Sequence, residues 1–164
     1  ENGILKIHYE TKTGAINKTR ENKDLKAYVS FKSLDRLHAS TGAEVTISGV
    51  LQSTTLDMQA NTGATINGKV DLGSLKLEQN TGSKVTLTGK TGQVDAEGST
   101  GSKFTGEDMT TTSCKVQVST GARFTIHASK ELEAKASTGA IVRYKGEAGI
   151  KSVKANTGGT VTRI

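Results

Sequence analysis

A parallel β-helix, an all-β solenoid, is the fold this sequence predicts, and three observations predict it. First, a Ser/Asn-Thr-Gly-small motif occurs seven times, with glycines at Gly42, Gly63, Gly82, Gly101, Gly121, Gly139 and Gly158, successively 21, 19, 19, 20, 18 and 19 residues apart. A period near nineteen marks a solenoid and is too short for propeller blades. Second, alignment on these glycines exposes two wholly apolar columns. The third residue after each glycine reads Val45, Ile66, Val85, Phe104, Phe124, Val142, Val161. The fifth before it reads Leu37, Met58, Leu77, Ala96, Val116, Ala134, Val153. Chance does not fill both columns when only 33% of the chain is hydrophobic. Third, 19 Gly, no Pro and 24 Thr favour turns and extended chain over helix.

Each rung is predicted to carry one strand before its Thr-Gly corner and one after it. Leu56, Leu75, Val94, Cys114 and Leu132 continue the alternation two residues further out, with polar residues between. Period two is the signature of a strand. The glycine takes positive φ at no steric cost, and the small residue after it fits beside the bend. The five to eight residues left in each rung, including Gly49, Gly89 and Gly146, are expected to close the coil as a loop of variable length. Residues 129–136, Ser-Lys-Glu-Leu-Glu-Ala-Lys-Ala, have helix propensity. Leu132, Ala134 and Ala136 nevertheless fall in the inward columns, so a strand is expected there.

Residues 1–164 are read as one domain, with 36–164 supplying seven regular Thr-Gly rungs and 1–35 an N-terminal cap or first irregular rungs. Ile4 to Tyr9 and Ala27 to Phe31 alternate like strands. An aromatic content of 4% without Trp is thin for a compact core but suffices where each rung packs only on its neighbours. The periodic apolar residues argue against disorder. The chain opens on Glu1 rather than Met and has no apolar run long enough for a signal peptide or membrane span, so a segment removed upstream is expected.

The outward columns are where function is to be sought. Six residues before the glycine, Asp57, Lys76, Asp95, Lys115 and Glu133 alternate in sign, which reads as a ladder of exposed ion pairs and as a candidate binding face. Beside it, Glu78 and Glu97 fall on neighbouring rungs, about as far apart as the carboxylates of a retaining glycosidase, so a polysaccharide-cleaving patch is one alternative reading. An open face beside Lys76 and Lys115 does not suit the raised pKa that an acid catalyst requires. A column of Thr46, Asn67, Thr86, Thr105, Thr125, Arg143 and Thr162 is interrupted twice and needs no reason beyond strand preference.

The net charge of +6 is unevenly placed: residues 1–114 hold 13 basic and 13 acidic residues, and 115–164 hold nine basic against three acidic. Arg123, Arg143, Lys145 and Arg163 make this basic end a candidate site for an anionic glycan. Phe104, Phe124 and Tyr144 fall in inward columns, where they pack rather than stack on sugars or bases; this counts against a carbohydrate site as well as a nucleic-acid one, and nucleic acid is not expected. His8, His38 and His127 are widely spaced, and Cys114 lies in a core column, so no metal, cofactor or nucleophile site is expected.

With these columns in place, the chain resembles the auto-transporter adhesin head domain of GIN type, a family of exported Gram-negative bacterial proteins. The resemblance rests on Gly3-Ile4-Leu5-Lys6-Ile7, on Ala27-Tyr28-Val29-Ser30-Phe31 followed by Leu34 and Leu37, and on the repeated Thr-Gly corners. It extends to Ile141-Val142-Arg143-Tyr144-Lys145-Gly146 and Asn156-Thr157-Gly158-Gly159. It implies a right-handed parallel β-helix at the cell surface, attached to the outer membrane or in the periplasm. It also implies further strands before Gly3, hence an N-terminally truncated chain, and it supplies no catalytic residues. The function expected is therefore a non-enzymatic, adhesin-like module that presents its faces to a glycan or protein. The alternative is a structural β-helix that self-associates end to end through its exposed edge at Val161 and Ile164.

Overall fold

The computed structural model describes residues 3–8 and 25–164. The chain divides into two units, 1–32 and Ser33–Ile164. In the first, residues 3–8 and 25–32 form no strand, although Ile4 to His8 and Ala27 to Phe31 alternate as strands do. The expectation at Tyr9 lies outside the described residues. An alternating segment becomes a strand only when a neighbour accepts its backbone hydrogen bonds, and no ladder forms here among the described residues.

The second unit is a β-solenoid with rungs of about nineteen residues and no helix. Its strands are β1 (Arg36–Ala39), β2 (Glu44–Ala60), β3 (Thr65–Gln79), β4 (Lys84–Gly98), β5 (Lys103–Val118), β6 (Arg123–Ala136), β7 (Ile141–Lys145), β8 (Gly149–Ala155) and β9 (Thr160–Arg163). Every ladder is parallel, with β1 to β7 stacked in chain order, β9 on β7 and β8 on β6. Residues 129–136 belong to β6, so tertiary context overrides helix propensity there.

Both apolar columns stack in register. Val85 lies beside Phe104 and Phe104 beside Phe124, while Leu77, Ala96, Val116 and Ala134 pair in succession. From the second rung to the sixth these residues are buried. Val45, Leu37, Val161 and Val153 of the outermost rungs retain partial or full exposure; among the described residues the strands pair on one side only at these positions.

Two features depart from the sequence reading. The expected closing loop is strand: β2 to β6 each run without a break from one corner to the next, and variable spacing is taken up by register shifts such as Thr46/Val50 and Thr86/Gly89. These irregularities bend the strand and let one rung carry one or two residues more than its neighbour. The third side therefore adds its own core, including Leu51, Val70, Leu72 and Met109. Gly89 bends at φ 108°, and a Cβ there would sit 2.1 Å from the Val70 carbonyl oxygen.

The second departure is at the corner. Glycine is not alone in the left-handed region: the threonine before it has φ between 47° and 55° in all seven copies. The small residue donates to the carbonyl three positions back, as from Ser102 N to Ser99 O at 3.1 Å. Two positive-φ residues closed by that bond make a type I′ turn, which ordinarily favours Asn-Gly. Every corner glycine N–H except that of Gly158 then donates to the threonine carbonyl of the next rung, as Gly82 does to Thr100 at 2.9 Å. The corners thus form a ladder of their own.

Candidate binding groove

The strand segment before each corner presents its outward columns side by side. Register places Asp57 beside Lys76, Lys76 beside Asp95, Asp95 beside Lys115 and Lys115 beside Glu133. Arg36 extends this alternation by one rung, with Nε 3.6 Å from Asp57 Oδ2. Lys115 Nζ lies 3.6 Å from Asp95 Oδ2. Lys76 turns instead to Glu78, two residues along its own strand, at 2.7 Å. That hydrogen bond and the carboxylate charge hold the Lys76 pKa above its ordinary value.

The next outward column stacks Glu78, Glu97, Gln117 and Lys135 on successive rungs. Adjacent strands lie about 4.8 Å apart, so the column grades from acid through amide to amine along roughly 15 Å. Between this column and the corner runs an open groove of ≈300 Å³. Glu97 and Gln117 line it and meet through an amide-to-carboxylate hydrogen bond of 3.4 Å. Asn80 and Ser99 line its other side, the Ser99 hydroxyl donating to the Asn80 side-chain oxygen. Gln79 is buried in the floor, where Nε2 donates to the Lys103 carbonyl at 3.1 Å. A second open depression, of ≈430 Å³, follows the charge ladder and includes Lys76, Asp95, Lys115, Glu133 and Lys151.

The residues singled out from sequence therefore separate. Asp57, Lys76, Glu78, Asp95, Glu97 and Lys115 share one face, and the groove gathers Glu78 and Glu97 with Gln117 and Lys135, which column reading had left aside. The basic set does not form one patch. Arg123 and Arg143 lie after the corner in adjoining outward columns, because Thr125 pairs with Arg143 and Arg123 with Ile141. Lys145 Nζ is engaged with Asp108 at 3.5 Å, and Arg163 pairs with Tyr144 in a column that is inward elsewhere. Among the described residues no group of three His, Cys, Asp or Glu is placed to hold a metal, and no helix is long and apolar enough to cross a membrane.

Comparison with known proteins gives a fold relative and a family. A crystal structure of a "putative lipid binding protein" from Parabacteroides distasonis ATCC 8503 matches with a TM-score of 0.62 and 12% identity over 80% of this chain. The chain spans 62% of that protein's length, and at this identity the likeness is one of fold. No curated protein matches. Residues 1–148 match the family model described as "Putative auto-transporter adhesin, head GIN domain", and the chain belongs to that family.

Proposed function

We propose that this domain is a non-enzymatic, extracytoplasmic binding module that presents its β-helix faces to a glycan or protein. The groove along Glu78, Glu97, Gln117 and Lys135 carries this reading. Strand register and a hydrogen-bonded rim fix its donors and acceptors before any partner arrives, which reduces the entropy lost on binding. Its polar lining suits a hydroxylated or charged partner better than an acyl chain. A glycosidase would place one of its two carboxyls in an apolar pocket, whereas Glu78 is half-exposed and ion-paired. Membership of an adhesin-like family supports both binding and an extracytoplasmic location.

The test is a glycan and matrix-protein array read with the native chain and with the combined variant Glu97→Ala, Gln117→Ala, Lys135→Ala. Loss of the array signals in the variant is expected. A binding pattern unchanged by all three substitutions would remove the groove, and polysaccharide cleavage that disappears in Glu78→Gln or Glu97→Gln would replace binding by catalysis.

A second reading is favoured by the last rung. Among the described residues, β8 pairs only with β6 and β9 only with β7, and Ile150, Val153 and Ile164 are 56%, 41% and 57% exposed. An unpaired strand edge with apolar side chains is a template for another chain, and a second copy would cover it. Light scattering across a concentration series should then show mass growth that Ile164→Lys suppresses; a monomer at every concentration excludes it.

A further inference from the structure

The geometry points to a second binding surface on the other side of the corner, a cationic stripe for a linear acidic polysaccharide. Lys84 pairs in register with Lys103, and Lys103 with Arg123, so three cations stand directly side by side on successive rungs. All three are exposed, and none has a carboxylate partner among the described residues. Arg143 continues the line obliquely, one rung on and two residues further along its strand than Ile141, which pairs with Arg123.

Like charges directly opposite each other in a sheet are destabilising. The charge ladder before the corner avoids this by alternating sign at every rung from Arg36 to Glu133, so the fold tolerates compensation at such a position. After the corner it is not used. The two outward columns there, beginning at Glu44 and Thr46, hold no Asp or Glu beyond Glu44. The uncompensated positive field is therefore local, and it is also linear, running along the solenoid axis at about 4.8 Å per rung.

The neighbouring outward column selects among polyanions. Thr86, Thr105 and Thr125 stack beside the cations and offer hydroxyls able to donate to and accept from sugar hydroxyls. Aromatic platforms, which single-stranded nucleic acid would use, are missing from this face: Phe104 and Phe124 are 0% and 1% exposed. Exposed apolar anchors that would favour a membrane surface do not flank the stripe either, since Ile141 is only half-exposed. A chain of sugars bearing a carboxylate or sulfate on successive or alternate residues fits both columns. This surface is distinct from the groove, and neither depends on the other.

The experiment measures binding of polygalacturonate to the native chain at low and at physiological salt. It then compares the stripe variant Lys84→Gln, Lys103→Gln, Arg123→Gln with a control of equal charge loss, Lys69→Gln, Lys90→Gln, Lys130→Gln. Binding that weakens with salt and falls at least about tenfold in the stripe variant, with the control within about twofold of native, is expected for localised cations. An equal loss in both variants would show a non-specific charge effect and overturn the stripe. So would no binding by the native chain, or tighter binding of duplex DNA or phosphatidylserine vesicles than of polygalacturonate. Groove binding, read on the array with its own variants, is untouched by any of these results.

Discussion

Phe104 and Phe124 meet edge to face across adjacent rungs, with ring centroids 5.5 Å apart and planes at 61°. These are the only phenylalanines in the inward columns, and two glycines make room for them. A Cβ at Gly98 would lie 2.4 Å from Phe124 Cε1 and Cζ, and one at Gly106 2.7 Å from Phe104 Cζ. Gly98→Ala should therefore cost about 1–3 kcal/mol through overpacking, measured by denaturant unfolding. In Gly98→Ala combined with Phe124→Leu, the smaller side chain vacates that space, so the two costs should add to less than their sum. Strict additivity would mean that the glycine is not there for the ring.

Thr100 sits at φ 50°, as its six counterparts do within a few degrees, and a β-branched residue is strained there. Asparagine tolerates this region and is the preferred partner of glycine in a type I′ turn. Thr100→Asn should raise stability by about 0.5–1 kcal/mol, seen as a higher midpoint with an unchanged denaturant slope. A fall of similar size would show that the threonine methyl or hydroxyl stabilises the corner by more than the backbone strain costs. Valine at the same position keeps the branching without the hydroxyl and separates those two contributions.

What could be read from sequence was whatever keeps a fixed distance from the corner glycine. Val85, Phe104 and Phe124, or Leu77 and Ala96, lie within one straight segment of that anchor, so their alignment survives. Leu51, Val70 and Met109 lie beyond bulges of unequal length, and a column drawn through them loses register. The threonine φ was hidden because its side chain disfavours the conformation that the turn imposes. Glu78 and Glu97 were legible as neighbours because they share an offset from glycine, yet the groove needed Gln117 and Lys135, whose changing chemistry breaks the visual pattern. Charge misled in another way. Residues 1–114 sum to zero, which conceals Lys84 and Lys103, because a charge total over a segment does not distinguish columns: among the described carboxylates only Glu44, two rungs before Lys84, shares theirs.

Cys114 is buried between Val94 and Leu132, and burial first, with the Asp95 charge second, pushes its thiol pKa from 9.0 up to about 12. The sign follows from which state loses the proton. Between pH 9 and 12 the unfolded thiol ionises while the folded one does not, so folding stability is complete below about pH 9 and is lost as pH rises. Relative to Cys114→Val, the native chain should lose up to about 1.4 kcal/mol per pH unit in that window. Parallel stability curves for the two proteins from pH 8 to 11 would contradict this. At neutral pH the same burial predicts that thiol reagents label Cys114 only in denaturant.

The two outward charge columns make opposite predictions for single charge reversals. Asp95 stands between Lys76 and Lys115, so Asp95→Lys turns an alternating ladder into three adjacent cations. These groups are well exposed and solvent screens them, so the loss should be on the order of 0.5 kcal/mol at low salt and shrink as salt is added. Lys103 stands between Lys84 and Arg123, so Lys103→Glu places an anion where none exists and should stabilise by a similar amount. Denaturant midpoints at two salt concentrations measure both. If Lys103→Glu stabilises the fold while abolishing polygalacturonate binding, the cation stack is held at a cost to stability for the sake of its ligand, as sites commonly are. If Lys103→Glu destabilises instead, the lysine stems pack along the threonine column and the stack is part of the scaffold.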